Sequence, residues 1–398
     1  MIDNLIITIV SILNFLNSTL FILILLILII AYHFLLIFTR DIRYIKALKE
    51  FDDPKEIKLS NLNHIPLINV IMPAWKEGKT FESCLLNITR LTYPNLKVIV
   101  NAGGSDETLQ IANSFRKFEN FTIIYQEQGG GKIKAINNCL NYISNGIVCI
   151  LDADVLLTDK LLLKMIYPLI NGKEDIVIAP IAPHTSILNS DIVKYSYVNR
   201  YTEFRHKFTR YIIGFASNAC INYQVIKSLS KFSENRMLDD GRVTGIDLSS
   251  KGFKTYQLID HKMQSFTYPT SINEFLHQNL RWIENSLYYS IKNRKSQIIK
   301  FVGLTILSFL ILVFPFFLFF NVYIFLIGVL LLFSMYLKRI RKIIFFKLVN
   351  RAVLIKFKFK FFIKLIFFTY LDVLVNIIVC FEILFYRKAY KRRKNLIP

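Results

Sequence analysis

The amino-acid sequence predicts an α/β fold with a mostly parallel sheet, set between transmembrane helices. Two uncharged runs, Leu5–Thr39 and Phe301–Leu337, are each longer than one ~30 Å bilayer crossing needs at about 1.5 Å per helical residue. Residues 40–298 between them have mixed composition, and short Ile- and Val-rich runs there alternate with helical stretches. The 398-residue chain is 53% hydrophobic yet carries a formal net charge of +22. That pairing excludes a disordered chain and an ordinary soluble enzyme, and it fits an integral membrane protein.

In the first run, Ser11, Asn14, Asn17 and Ser18 crowd the N-terminal half, so residues 18–39 are the expected span of an anchor over 1–39. Arg40, Arg43 and Lys46 follow at once. By the positive-inside rule that side is cytoplasmic and the N-terminus lies outside. The run does not read as a cleavable secretory signal, which would have a basic start, a shorter apolar stretch and a small-residue cleavage site.

The 37 residues of Phe301–Leu337 would make a single helix of about 55 Å, so two spans within 299–337 are expected, with a tight turn near Pro315–Asn321. Lys338–Lys342 then returns to the cytoplasmic side. Across 338–364 a basic interfacial segment is expected, because Lys356, Lys360 and Lys364 recur every four residues among Phe and Ile. A third C-terminal membrane segment, Leu365–Tyr386 within 365–398, contains Asp372 and Glu382. Carboxylates at such depth are expected to face protein or a polar path. A single crossing there would leave the basic tail outside, against the positive-inside rule, so its sidedness stays open.

Between the anchors, Ile68–Met72, Lys97–Val100, Phe121–Tyr125, Gly146–Leu151 and Asp175–Ala179 read as buried strands, and stretches near 80–91, 105–118, 132–144 and 158–170 as helices. This alternation implies ligands at the carboxyl ends of the strands. Cys84, Cys139, Cys149, Cys220 and Cys380 show no zinc spacing and read as core or membrane-facing thiols without a disulfide framework.

The strand ends carry the chemistry. The first ends in Pro73-Ala74-Trp75-Lys76-Glu77, and the second in Asn101-Ala102-Gly103-Gly104-Ser105-Asp106. The third leads to Gly129-Gly130-Gly131-Lys132, and the fourth to Asp152-Ala153-Asp154. There is no Gly-x-Gly-x-x-Gly, and Gly131-Lys132 lacks the following Ser/Thr of a P-loop. Paired hard carboxylates at a strand end suit a Mg²⁺ or Mn²⁺ that also holds a diphosphate. The competing reading of that pair is a cap for the helix near Thr158. The glycine run with Lys132 suits backbone approach to a phosphate and its neutralisation by an ammonium, or else a plain turn. Asp239-Asp240 and Gln278-Asn279-Leu280-Arg281-Trp282 follow, and the two tryptophans of the chain, Trp75 and Trp282, both fall within these stretches. Trp282 also suits an interfacial aromatic belt.

Taken in order over about residues 68–285, these motifs resemble the membrane-integrated family 2 glycosyltransferases: cellulose, hyaluronan and poly-N-acetylglucosamine synthases, and ceramide glucosyltransferases. The resemblance implies a GT-A (Rossmann-like) domain over 40–298 that lies in the cytoplasm of a multi-pass cell-membrane protein. It implies that Ala74, Trp75 and Glu77 line a nucleoside pocket and that Asn101 and Asp106 belong to the same donor site. Asp152 and Asp154 take the place of the metal motif, and Asp240 that of the catalytic base. Gln278, Arg281 and Trp282 then clamp the diphosphate and stack on the acceptor sugar. Asn101-Ala102 departs from the two acids of the family, yet Asn101 can still hydrogen-bond a pyrimidine edge, with a different donor pattern from Asp, so uridine stays the favoured base; Leu-Asp-Asp stands for Thr-Glu-Asp, which leaves Asp239 a rival base.

The expected reaction is inverting transfer from a nucleotide-sugar, a UDP-sugar by this reading, to a growing polysaccharide. The alternative is addition of one sugar to a lipid acceptor, and a scaffold without activity is disfavoured by the retained motifs. Nucleic acid is not an expected partner. From Lys338 onward there are 16 Lys or Arg and two acids, so +14 of the +22 lies in the last 61 residues. Charge so placed speaks of the membrane surface.

Overall fold

The computed structural model describes residues 8–12, 14–15, 17–49, 56–104, 107–128, 131–201, 218–228, 248, 251–258, 263–293, 295–349 and 355–385. The chain divides into two compact units. One joins Met1–Glu50 to Ser271–Val349 and Ile355–Arg387, and the other is built on Phe51–Thr270.

In chain order, helix α1 (Thr19–Leu36) passes through a π-helical turn (Ile37–Asp41) into α2 (Ile42–Lys49). The α/β unit follows as β1 (Ile68–Trp75), α3 (Gly78–Thr89), β2 (Leu96–Gly103), α4 (Thr108–Ser114), β3 (Phe121–Tyr125), α5 (Gly131–Leu140) and β4 (Ile147–Ile150). It continues with β5 (Val155–Leu156), α6 (Asp159–Ile170), β6 (Ile176–Ile178), β7 (Ile181–Pro183), α7 (Asp191–Tyr201), β8 (Ala219–Asn222), α8 (Tyr223–Ser228), β9 (Thr255–Gln257) and β10 (Met263–Ser265). The chain then runs through α9 (Ile272–Asn293), α10 (Lys295–Val313), α11 (Val322–Val349) and α12 (Phe359–Phe385).

Seven strands form the main sheet in the order β3-β2-β1-β4-β8-β6-β9. β1, β2, β3 and β4 are parallel, and β8 runs antiparallel between β4 and β6. Both faces are covered, so the inner strands are apolar throughout rather than alternating. Ile68, Val70 and Met72 join Phe81, Leu85, Met165 and Ile166 on one face. On the other, Ile71, Ile99 and Ile150 pack against Ile133, Ile136 and Val225. A second sheet, β5-β10-β7, is built from strands of two or three residues.

One expectation is overturned here. Cys149 lies directly across from Cys220 in the antiparallel β4–β8 pair, with Cα atoms 4.2 Å apart, and the two are joined as a disulfide. Their 71-residue separation hid the pairing, because only the topology makes β8 a neighbour of β4. Cys84 and Cys139 are buried free thiols, and burial pushes each up to about 12.

In the other unit, Thr19–Lys46, Ile299–Phe319, Val322–Val349 and Phe359–Glu382 are long and apolar enough to cross a membrane. The chain turns between the second and third at Phe320-Asn321, where Asn321 caps α11 by accepting from the Tyr323 and Ile324 N–H groups. Gly328 lets Phe314 approach α11 closely, since a Cβ there would collide with the ring. His33 of α1 and Ser334 of α11 are hydrogen-bonded at 3.1 Å.

The described part of the basic block is divided between two helices and a non-helical stretch. Residues 338–349 continue the helix begun at Val322, residues 355–358 are not helical, and Lys360 and Lys364 sit on the first turns of α12. Two of the charges on α11 are ion-paired. Arg339 is paired with Asp372 of α12, and Arg341 reaches Asp41 at 3.1 Å. Asp372 therefore faces protein, as a carboxylate in an apolar helix must.

Candidate active site

The main-chain turn after β1 is fixed from beneath. The buried Thr108 hydroxyl accepts the Glu77 N–H at 2.9 Å and the Gly78 N–H at 3.4 Å, and the Lys76 N–H donates to the Gly103 carbonyl at 3.3 Å. Lys76 is held at φ +57°, a left-handed conformation that costs a side-chain-bearing residue about 1–2 kcal/mol. Asn218, which opens β8, is held at φ +56°. Both strained residues border the same group of carboxylates.

That group is centred on the end of β4. Lys132, at the start of α5, is ion-paired with Asp152 through Oδ1. Asn218 Nδ2 donates to Asp152 Oδ2 at 3.3 Å, and the Asp152 N–H donates to Asn218 Oδ1 at 3.5 Å. Asp154 is gripped from the second sheet. Its Oδ2 accepts from Ser265 Oγ at 2.8 Å and from Thr267 Oγ1, because β10 pairs with β5 immediately after Asp154. The helix-cap reading of this pair fails, since Thr158 itself caps α6 by accepting the Leu161 N–H at 3.3 Å.

The electrostatics show crowding of like charge. Burial, and then the Asp154 and Asp152 carboxylates, push Glu77 up to about 7, with Lys132 acting in the opposite sense. Burial and the Asp152 charge likewise raise Asp154, against the two hydroxyl donors. Three carboxylates facing one ammonium leave net negative charge, and their hard oxygen donors fit a divalent cation such as Mg²⁺ or Mn²⁺. Among the described residues no three His, Cys, Asp or Glu already converge as a ligand set. Asp152 and Asp154 would hold the ion, with the remaining positions left to a diphosphate or water.

Of the residues singled out in the sequence, the structure brings Trp75, Glu77, Lys132, Asp152 and Asp154 to the same carboxyl edge of the sheet. Ala74 packs into the core on the other face of β1, so only its backbone is at hand. Asn101 is fully buried, and its Nδ2 donates to the Ala135 carbonyl at 3.4 Å. Gln278, Arg281 and Trp282 share one face of α9 at helical spacing, in the unit of long apolar helices. Asp106, Asp239 and Asp240 lie outside the described residues. Asn218, Ser265 and Thr267 were not found by sequence reasoning. Nothing in the local sequence ties any of the three to Asp152 or Asp154.

A strand-end carboxylate pair on a mostly parallel sheet is a fold-level observation, and the family comparison decides what it belongs to. Residues 69–229 match the family model described as glycosyl transferase family 2. These residues are a family 2 glycosyltransferase domain. It takes in β1 to α8 with Glu77, Asp152 and Asp154, and it stops short of α9.

Curated relatives of this glycosyltransferase domain include the glycosyltransferase AglE of Haloferax volcanii, 31% identical over 94 residues, which are 23% of this chain and 31% of that protein. The poly-beta-1,6-N-acetyl-D-glucosamine synthase of Staphylococcus aureus is 28% identical over 120 residues, 30% of this chain and 27% of that one. The chain thus spans less than a third of the length of these relatives. Among solved structures, the mannosyltransferase PcManGT from Pyrobaculum calidifontis, in complex with GDP-Man and Mn²⁺, superimposes with a TM-score of 0.52 at 15% identity, over 92% of this chain and 99% of that one. That likeness shows the shared fold.

Proposed function

We propose that this protein is an inverting, membrane-integrated glycosyltransferase that moves a sugar from a nucleotide-sugar to a growing polysaccharide. The observation that carries the reading is the edge of Asp152, Asp154 and Lys132 on a family 2 domain within a chain of long apolar helices. The synthase relative and the GDP-Man-bound fold neighbour support a glycan acceptor and a nucleotide-sugar donor, with a UDP-sugar as the first donor to test. By the positive-inside rule, Arg40, Arg43 and Lys46 after the first long apolar helix put the domain that follows in the chain on the cytoplasmic side.

In this reading the acceptor hydroxyl attacks the anomeric carbon, the bond from that carbon to the diphosphate oxygen breaks, and the configuration inverts. Asp240 takes the hydroxyl proton as general base. The nucleoside diphosphate leaves with added negative charge, which Lys132 and the forked guanidinium of Arg281 neutralise. A divalent cation at Asp152 and Asp154 would supply further charge neutralisation on the leaving group. Trp282 offers an indole face to the acceptor sugar, and Gln278 a hydrogen-bonding amide on the same side of α9. Glu77 and the Trp75 ring bound the nucleoside. Fixing Glu77, Lys132, Asp152 and Asp154 at the carboxyl edge of one sheet orients the donor, which lowers the barrier by prepaid entropy.

The test is to incubate membranes carrying the protein with radiolabelled UDP- and GDP-sugars and to size the product. A polymer made by the wild type and lost in Asp240→Asn, with nucleotide binding retained, is the expected result. A lipid bearing a single sugar would sink the polymer assignment. Full turnover by Asp240→Asn would move the base to Asp239 or elsewhere.

A further inference from the structure

Helices α1 and α11 run side by side in the same direction and are tied at three levels. At one end Asn321 Nδ2 donates to Asn17 Oδ1 at 3.0 Å, further along His33 meets Ser334, and at the other end Arg341 Nε reaches Asp41 Oδ2 at 3.1 Å. Asn321 and Arg341 are 20 residues apart, which is about 30 Å at about 1.5 Å per helical residue, the thickness of one hydrocarbon core. With the asparagine pair at one membrane face, the Asp41–Arg341 pair falls at the headgroup level of the other. Positive charge is in surplus there. Asp41 serves two guanidiniums, since Arg40 Nε lies 3.4 Å from its Oδ1. Asp372 of α12 is paired with Arg339 and also acts on Lys338, which stands within range of the Arg40 and Arg341 charges. Four cations thus share two carboxylates. Arg341 is only 6% exposed, and its Nη1 is buried without a hydrogen-bond partner. Arg40 is partly exposed and Lys338 exposed, so the cluster is open to its surroundings through these two.

A buried guanidinium N–H left unpaired is costly, because a charged group has been taken from water without full replacement of its hydrogen bonds. An anion supplies the missing acceptor and offsets the surplus charge. We propose that Arg341, Arg40 and Lys338 hold the phosphate of an anionic phospholipid in the leaflet at this end, the cytoplasmic one in the topology proposed above. Two observations favour a lipid over a free anion. The cluster lies at the depth of the phospholipid phosphates, and the stretches of α1 and α11 that lead to it expose Leu35, Phe38, Val329 and Phe333, against which acyl chains can lie. A guanidinium fork suits phosphate oxygens, and the two surplus cations select a headgroup of net negative charge over one whose choline cancels its phosphate. The phosphate bridges Arg40 on the α1 side to Arg341 and Lys338 on α11, and so braces two helices that Asp41 otherwise joins alone at this end. The site requires only that these helices cross a membrane, and it is independent of the transfer reaction.

The experiment places the full-length protein in nanodiscs of phosphatidylcholine with a rising fraction of phosphatidylglycerol, follows thermal unfolding, and counts retained lipid by native mass spectrometry. The wild type should retain phosphatidylglycerol about tenfold or more over phosphatidylcholine, as a surplus of two cations implies, and should melt higher as its fraction rises. Lys338→Gln, a change at an exposed position, should cut that preference about fivefold, the worth of one cation beside an anionic leaflet. Asp41→Asn with Arg341→Met removes the buried pair together and leaves the net charge as it was, so a loss of preference in this variant reports the forked donor rather than bulk charge. Arg43→Gln, which removes an exposed cation outside the cluster, should keep the preference within about twofold. Equal retention of both lipids by the wild type, equal losses in Lys338→Gln and Arg43→Gln, or an undiminished preference in Lys338→Gln overturns the site. Glycerol 3-phosphate added to the protein in pure phosphatidylcholine should leave the melting temperature unchanged. Stabilisation by it equal to that by phosphatidylglycerol would make this a soluble-anion site and overturn the lipid assignment.

Discussion

Replacing Glu77 with Gln should stabilise the metal-free protein, and only above a definite pH. Burial and the two neighbouring aspartates hold this carboxyl at about 7 rather than the usual 4.5. The carboxylate is thereby disfavoured in the folded state by roughly 3 kcal/mol, at 1.36 kcal/mol for each pH unit. Glu77 is partly exposed, and solvent screening reduces the figure to about 1–3 kcal/mol. The sign follows from proton binding. Between 4.5 and 7 the folded chain keeps a proton that the unfolded chain gives up, so stability falls as pH rises through that window and the penalty is complete above about 7. Gln has the same shape and no charge to repel. The Thr108 contact with the backbone at position 77 survives the exchange. Thermal unfolding of full-length wild type and Glu77→Gln in detergent with chelator, from pH 4.5 to 8.5, measures the difference. The curves should coincide near pH 4.5 and separate by about 2–12 °C at pH 8, taking 2–4 °C per kcal/mol for a unit of this size. Added Mn²⁺ should narrow the gap by screening the wild-type carboxylates. A variant no more stable than wild type at pH 8, or equally favoured at every pH, would show that these carboxylates do not repel one another as described.

Three other outcomes follow from the same contacts. Gly103→Ala puts a methyl 2.8 Å from the Trp75 ring and closer still to the Gln126 carbonyl oxygen. Overpacking of about 1–3 kcal/mol and at least a tenfold loss of nucleotide affinity are expected, read by melting and calorimetry. The double change Ser265→Ala with Thr267→Val strips Asp154 of two donors, each worth about 1.5–3 kcal/mol to a charged group, so Mn²⁺ binding followed by electron paramagnetic resonance should weaken more at pH 6 than at pH 8. Ser265→Ala with Thr267→Ser should recover part of it, and unchanged affinity in the first variant would remove the hydroxyls from the argument. Arg339→Leu should lower the melting point by breaking a part-buried ion pair, at about 3 kcal/mol, and adding Asp372→Leu should restore most of the loss.

Strands of the α/β unit were legible where they are buried on both faces. Parallel strands such as β1 and β2 appear as uninterrupted Ile/Val runs, and helices α3, α5 and α6 announce themselves by glycine or Thr158 at their starts. The carboxyl-end rule then pointed to Trp75, Glu77, Lys132, Asp152 and Asp154, all of which arrive at one edge. The second sheet was invisible because strands of two or three residues carry no periodicity. Cys149–Cys220 was invisible because β8 enters the sheet out of sequence order.

The residues missed at the site share one property: each acts through a neighbour that only the topology supplies. Asn218 matters because β8 runs back beside β4 and sets its amide against Asp152. Ser265 and Thr267 matter because β10 pairs with β5 and brings two hydroxyls to Asp154, more than a hundred residues away in the chain. Motifs record groups that touch the substrate at a fixed distance from a strand end, and so they find the carboxylates. The groups that set how those carboxylates are charged and held answer to packing, and only an account of every buried polar atom brings them out.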